Sequence, residues 1–400
     1  MKKINSLIGS VGVKSLSAVL AIFSQIYIIK MAGEDGYGLY VKYVTVVSLM
    51  VLVAKFGADV GCVKKASIYF NENNKFGLVS LLNGSLLFSI VSSGFVAIVY
   101  FLVFNYEFSG VELFVGVVVG VAIPIFSGVM RGGRRYIMAD AIESIFRPIV
   151  MIAVLTAMVW RDFGRDSVVY AYCLASVLTV AVYVRYISIE NKVETWGIEI
   201  PRPNLYVLLC ALLGYAIFQL DTLILSEYVG KVNLGGYNVA CNYVRLVIFV
   251  PLIVAAQAQQ DFVGLSGCTK EVYLKKVYSH MKVAFVCAVV ATGFIQIFSE
   301  YILTATSDKY TAANVPLKIL SIGHLFNSMT MIIFSALYMR GKEKSVFLCN
   351  AIGALFAIGG YIIFIPKYKE VAAASSASVA MAIIFIVAFY ELNSSVKNDE

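Results

Sequence analysis

Residues 7–29 read LIGSVGVKSLSAVLAIFSQIYII, 23 residues with a single charge, Lys14. As a helix that run is about 35 Å long, enough to cross the roughly 30 Å hydrocarbon layer of a bilayer. Eleven similar runs follow, at 39–61, 79–103, 111–130, 137–160, 168–187, 205–227, 237–260, 278–303, 315–339, 346–365 and 371–391. The whole 400-residue chain is 60% hydrophobic and 14% charged, with mean hydropathy +0.84. A soluble domain of that size needs far more polar surface to cover its core. The expected class is an all-α polytopic membrane protein of about twelve transmembrane helices. Met1-Lys2-Lys3 before the first run has the look of a secretory signal. No small-residue cleavage site follows and the run continues to Ile29, so the segment reads as a retained first span.

Lys and Arg concentrate in cytoplasmic segments of membrane proteins. With the N-terminus inside, 19 of the 32 cations fall in inner segments or, as Arg185 and Lys282 do, at the inner ends of spans, 7 in outer segments and six deeper within spans. The bias alternates loop by loop, which supports cytoplasmic N- and C-termini. It also accounts for the net charge of +8 without nucleic acid. The seven cysteines are scattered singly with no CxxC, and the two histidines stand far apart, so no metal or cofactor is expected. No connector is long enough for a soluble catalytic domain, so enzymatic chemistry is not expected either.

The longest polar connector in mid-chain, Ser188–Asn204, separates two groups of six spans. The expected domains are residues 1–187 and 205–400, joined by a cytoplasmic linker, 188–204. Trp196 and the isoleucines around it suit a membrane interface; a plain linker is the alternative. Three short echoes connect the halves in the same order. Ala21-Ile22-Phe23 recurs at Ala216-Ile217-Phe218, Gly36-Tyr37 at Gly236-Tyr237, and Met130-Arg131-Gly132 at Met339-Arg340-Gly341. Together they favour two parallel six-helix bundles.

Besides Arg185 and Lys282 at the inner ends of their spans, six cations lie within spans: Lys14, Lys42, Lys55, Arg147, Arg245 and Lys318. A cation at the bilayer centre costs roughly 2.5–3.5 kcal/mol, so each needs a functional reason or an escape route. Lys42 and Lys318 are close enough to the outer ends of their spans to snorkel. Lys55 has Asp59 one turn away, a pair that is structural or part of a transport site. Arg147 has Glu143 one turn away, and an ion pair between them is the competing reading for that arginine. Pro148 is expected to kink the same helix. Lys14 stands on a stripe of Ser6, Ser10, Ser17, Ala21 and Ser24, within an arc of about 80°. A close-packed seam of small residues has no room for a lysine, which favours a water-filled cavity there. Arg245 shares a face with Asn238, Asn242 and Gln260, and Gln219 lies on a polar stripe of the seventh span. Asp221 is off that stripe, a proton or sodium site or the partner of a buried arginine. Asp59, Glu143 and His324 are further candidates for coupling to an ion gradient.

The segments Gly36-Tyr37-Gly38-Leu39-Tyr40, Phe56-Gly57-Ala58, Phe218-Gln219-Leu220-Asp221-Thr222-Leu223-Ile224-Leu225 and Gly236-Tyr237-Asn238-Val239-Ala240 resemble the multidrug/oligosaccharidyl-lipid/polysaccharide (MOP) exporter superfamily. Within it the chain is most similar to Wzx-type polysaccharide-unit flippases. The resemblance implies two six-helix bundles around a cavity that opens to either side. It implies a cargo of undecaprenyl-pyrophosphate-linked oligosaccharide, moved across the bacterial cytoplasmic (inner) membrane for O-antigen, capsule or exopolysaccharide synthesis. Polysaccharide polymerase and chain-length proteins are the partners that such a pathway brings, beside the lipid-linked oligosaccharide and membrane lipids. Related flippases line the cavity with cations on the first and eighth helices, where Lys14 and Arg245 stand here. Arg147, Lys55, Asn242 and Gln219 complete the expected substrate-binding set. A cation-coupled drug exporter of the same fold is the main alternative, and it expects acidic residues to dominate the cavity. A polymerase or membrane glycosyltransferase expects a large outer loop, which this chain lacks.

Overall fold

In a computed structural model the chain is described over residues 2–103, 108–133, 135–161, 167–190, 197–263 and 270–395. The regular elements there are all helices. The helices are α1 (Lys2–Lys55), α2 (Ala58–Asn71), α3 (Lys75–Val103), α4 (Gly110–Gly132), α5 (Tyr136–Ala141), α6 (Arg147–Trp160), α7 (Ser167–Glu190), α8 (Leu205–Phe218), α9 (Leu220–Leu225), α10 (Lys231–Val263), α11 (Lys270–Thr306), α12 (Asn314–Met339) and α13 (Glu343–Ser395). Ile142–Phe146 forms a π-helical turn between α5 and α6, and Asp308–Ala313 a 3₁₀ turn before α12.

The twelve expected spans map onto these helices two-to-one in places. Helix α1 contains the first span and most of the second, bent at Gly33, whose φ of 73° and ψ of 171° only glycine adopts readily; the second span, expected to run to residue 61, breaks at Phe56 and Gly57 and ends in α2. Helix α13 contains the last two, reversed at Lys369 (φ 50°, ψ −127°) without a glycine. The fifth span is α5, the π turn and α6 in series, and the seventh is α8 and α9. Nine of the described helical stretches are long and apolar enough to cross a membrane. Large apolar side chains on their outer faces, such as Leu102, Ile297, Leu355 and Ile386, are exposed, as they must be where lipid is the solvent.

The described chain divides into two compact units, Met1–Leu212 and Leu213–Glu400. In the first, α4 is the central helix. It starts on a capping box: Ser109 Oγ accepts from the Glu112 N–H, and Glu112 Oε2 accepts from the Ser109 N–H at 3.1 Å. Leu113, Val117, Val121, Ile125 and Val129 are buried along it. Gly116 and Gly128 let neighbours approach closely; a Cβ there would lie 2.2 Å from the Tyr43 hydroxyl and 2.9 Å from the Asp59 carbonyl. In the second unit α12 has the corresponding place in chain order. Ile332, Ile333, Ala336 and Leu337 join a core with Val277, Ala284, Ala354 and Ile384.

The internal echoes fall at matching places. Met130-Arg131-Gly132 closes α4, and Met339 closes α12 with Arg340 as its cap. Tyr37, Tyr43 and Val47 are buried in the first unit, and Tyr237, Tyr243 and Val247 are buried in the second, each 200 residues on. Tyr43 donates to the Glu112 carbonyl at 2.7 Å; Tyr243 shares a 2.7 Å hydrogen bond with Thr306.

Candidate functional site

Each unit holds one arginine of the expected binding set, Arg147 in the first and Arg245 in the second, and each unit has a local break in helical structure. In the first unit the defect is the π turn. Pro148 has no N–H to offer the Ser144 carbonyl, so a regular α-helical ladder is broken one turn before it. The helix takes up an extra residue, and the Arg147 N–H reaches Ile142 O, five residues back. This turn directs the half-buried Arg147 to α7. Its guanidinium lies over the Tyr172 ring at 4.6 Å, and Nε donates to Ser176 Oγ at 3.2 Å. Tyr172 packs edge-on against Tyr40 and Tyr43, with ring centroids 5.9 and 5.8 Å apart.

Glu143 does not hold Arg147. The extra residue in the π turn takes Glu143 out of register with the next turn, and its carboxylate faces Arg131 at 3.6 Å. Arg131 also donates to Asp140 at 2.9 Å. The i, i+4 ion pair expected from spacing is therefore replaced by a cluster at the end of α4. Among the described residues no carboxylate lies within 4 Å of Arg147 or of Arg245.

In the second unit the defect lies between α8 and α9. Gln219 (φ −141°, ψ −26°) interrupts the helix, and Asp221 falls in the first turn after the break. Asp221 is buried. Its Oδ1 accepts from the Thr222 N–H at 2.6 Å and from Thr222 Oγ1 at 3.2 Å; its Oδ2 accepts from the Tyr237 hydroxyl at 2.6 Å. Tyr361, buried beside it, donates to the Ile217 carbonyl at 3.1 Å. The carboxylate is thus saturated by neutral donors, the arrangement that makes a buried polar group tolerable. Arg245, on the next helix, is exposed and acts electrostatically on both Asp221 and His324 without pairing with either at contact distance. His324 is buried, stacked on Phe218 at 6.5 Å, and its Nδ1 has no hydrogen-bond partner among the described residues.

The other candidates occupy defined places. Lys55 and Asp59 form an ion pair of 2.8 Å across the break at Phe56 and Gly57, each side chain one-fifth exposed. Asn242 donates to Asn238 Oδ1 at 3.1 Å, on the same helix as Arg245. Gln219 keeps its backbone bond to Tyr215 at 2.9 Å despite the break. Lys14 lies in α1, and its side chain is outside the described residues. Lys42 and Lys318 are half-buried. Tyr172, Ser176 and Tyr237 position the charged groups and were not singled out by sequence for that role. Tyr172 and Ser176 are four residues apart on one face of α7, which was the available signal. Tyr237 stood only in the Gly-Tyr echo and in the segment that carries the family resemblance.

No family model matches the chain, and no curated protein matches it. Solved structures do. A multidrug resistance MATE family transporter of the MOP superfamily, in its inward-facing conformation, superposes with a TM-score of 0.72 at 15% identity, over 96% of this chain and 95% of that one. The outward-facing conformation of such a transporter gives 0.60 at 14% identity, over 98% and 94%. A MOP superfamily transporter from Pyrococcus furiosus Vc1, for which the reverse polarity of the binding pocket suggests a different function, gives 0.61 at 14% identity, over 98% and 94%. At such identities the likeness is one of fold, and it covers nearly the full length of both chains: this polytopic membrane protein has the MATE-like fold of the MOP superfamily.

Proposed function

We propose that the chain is a Wzx-type flippase, moving undecaprenyl-pyrophosphate-linked oligosaccharide units across the bacterial inner membrane by alternating access. The observation that carries this reading is the pair Arg147 and Arg245: two arginines within membrane-spanning helices, neither in contact with a carboxylate among the described residues. Unneutralised cations at that depth are costly unless an anion arrives to compensate them. A lipid pyrophosphate brings about two negative charges, and guanidinium forks match its oxygens with paired hydrogen bonds. Lys14 is a further candidate for holding such an anion. Asn242 and Gln219 are suited to sugar hydroxyls, and the hydrocarbon tail needs no protein beyond an apolar exterior. Polymerase and chain-length proteins are the partners that would follow in such a pathway.

The drug-exporter alternative calls for carboxylates open to a cationic cargo. The membrane-embedded carboxylates point elsewhere: Asp59 is taken by Lys55, and Asp221 by Tyr237 and Thr222. Asp221 retains one role in either reading. It is buried, has no cation in contact, and feels Arg245, so it is the strongest candidate for coupling to a proton or sodium gradient.

The test is complementation in a strain lacking its own flippase, with surface polysaccharide and inner-leaflet lipid-linked units measured together. Arg147→Ala and Arg245→Ala should each abolish export and accumulate the lipid-linked unit at unchanged protein level. Normal export from both would remove the site assignment. Dye efflux by the purified protein in proteoliposomes, with no movement of lipid-linked sugar, would replace the flippase by the exporter.

A further inference from the structure

We propose that the connector 197–204 is a docking surface for an anionic phospholipid interface, held in register by the first unit. The connector is fastened at both ends. The Glu199 N–H donates to Ser80 O at 2.9 Å, Asn83 Nδ2 donates to Gly197 O at 3.2 Å, and the Asn204 N–H donates to Phe56 O at 2.9 Å. The Glu199 carboxylate is gripped by Lys65 and by the Tyr69 hydroxyl, the latter at 2.5 Å. Glycines admit the backbone: a Cβ on Gly84 would lie 2.0 Å from the Glu199 carbonyl oxygen, and one on Gly61 3.0 Å from that of Arg202.

An extended chain turns successive side chains to opposite sides. With Glu199 drawn inward, Ile198 and Ile200 are turned outward, and they are 61% and 56% exposed. Phe76, in contact with Gly197, is also exposed. The strap is thus fixed in the register that displays isoleucine and hides glutamate, the reverse of what water selects. It leads into α8 and is bonded to Ser80 and Asn83 near the start of the membrane helix α3, which sets it at headgroup level. Around it, among the described residues, Lys64, Lys75 and Arg202 are exposed, against one exposed carboxylate, Glu72. Apolar side chains at the acyl boundary with cations at the phosphates is the pattern of an interfacial segment on anionic lipid.

The test uses fluorescence. Trp160 and Trp196 are replaced by Phe, and Ile200→Trp supplies the reporter in the full-length protein in nanodiscs. Brominated phosphatidylglycerol and brominated phosphatidylcholine are compared as lipid quenchers, and acrylamide as the aqueous one. The expected result is quenching by shallowly brominated lipid, little by acrylamide, and a preference for phosphatidylglycerol. Lys75→Ala and Arg202→Ala should each lower that preference, by about fivefold if each cation contributes as basic residues near anionic surfaces do. Quenching by acrylamide with none by lipid would overturn the proposal, as would silence to all three quenchers, which means a protein partner. Equal quenching by the two lipids would overturn the anionic preference. None of these readouts depends on transport.

Discussion

The Tyr237 hydroxyl donates a 2.6 Å hydrogen bond to Asp221 Oδ2 inside the second unit, 16 residues away in sequence and on a different helix. Both side chains are buried, so neither has water to fall back on. Tyr237→Phe leaves one carboxylate oxygen without its donor and should cost about 1–3 kcal/mol. Asp221→Asn removes the charge, keeps one acceptor oxygen for Thr222 and turns an NH2 donor towards the Tyr237 hydroxyl, which can accept, so it should cost less. Thermal unfolding in detergent, followed by size-exclusion monodispersity, ranks the two; Asp221→Asn as the worse variant would contradict this account.

Arg147 is held by geometry particular to a guanidinium. Arg147→Lys keeps the charge and loses both the planar stacking on Tyr172 and the Nε bond to Ser176. Export should fall to roughly a tenth or below, for a loss of about 1.4 kcal/mol or more in anion binding. Tyr172→Leu should reproduce much of the defect with the arginine intact. Wild-type export from both variants would show that stacking is incidental.

Pro148→Ala restores the missing N–H and should let the π turn relax to regular α-helix. The helix would gain stability while Arg147 rotates away from Ser176. The expected signature is an unchanged or higher melting temperature with reduced export, a combination that simple misfolding cannot produce.

The grip on Glu199 is pH-dependent with a definite sign. Burial pushes its carboxyl up, but the hydrogen bonds from Lys65 and Tyr69 outweigh this and hold it below the ordinary glutamate value of 4.5. A depressed carboxyl contributes stability above the unfolded value and loses it as pH falls through the folded one. Glu199→Gln should therefore cost about 1 kcal/mol at neutral pH, the group being partly exposed. Its deficit against the unaltered protein should shrink once the pH drops below 4.5. A deficit that grows on acidification would refute the assignment.

Gly84→Ala places a methyl group on the backbone of the strap, where no side chain can yield. The connector should lift from α3 and become accessible. Limited proteolysis at Arg202 should accelerate severalfold, with the transmembrane helices still inserted, in line with local opening of a single segment. An unchanged cleavage rate would mean that the strap is not anchored at that point.

Membrane class and twelve spans were legible because the requirement is crude: about 20 apolar residues per crossing, whatever their neighbours. The internal repeat was legible because positions 200 residues apart carry like burial, as Tyr37 and Tyr237 do. Single-turn pairings were legible where they joined one turn to the next, as with Lys55 and Asp59, which remain in contact across a break. Glu143 and Arg147 failed by the same rule. It presumes an uninterrupted α-helix, and Pro148 removes one hydrogen bond and with it the register.

By itself, then, the sequence determined which segments cross the membrane, how the halves repeat and which charged residues lie at depth, since each follows from hydropathy and periodicity along one helix. Only the tertiary structure decided which of those charges are occupied. Asp221 meets Tyr237 and Arg147 meets Tyr172 across two different helices, α9 with α10 and α6 with α7. Whether a buried charge is satisfied depends on donors within about 3 Å, and no spacing rule within a single helix carries that distance.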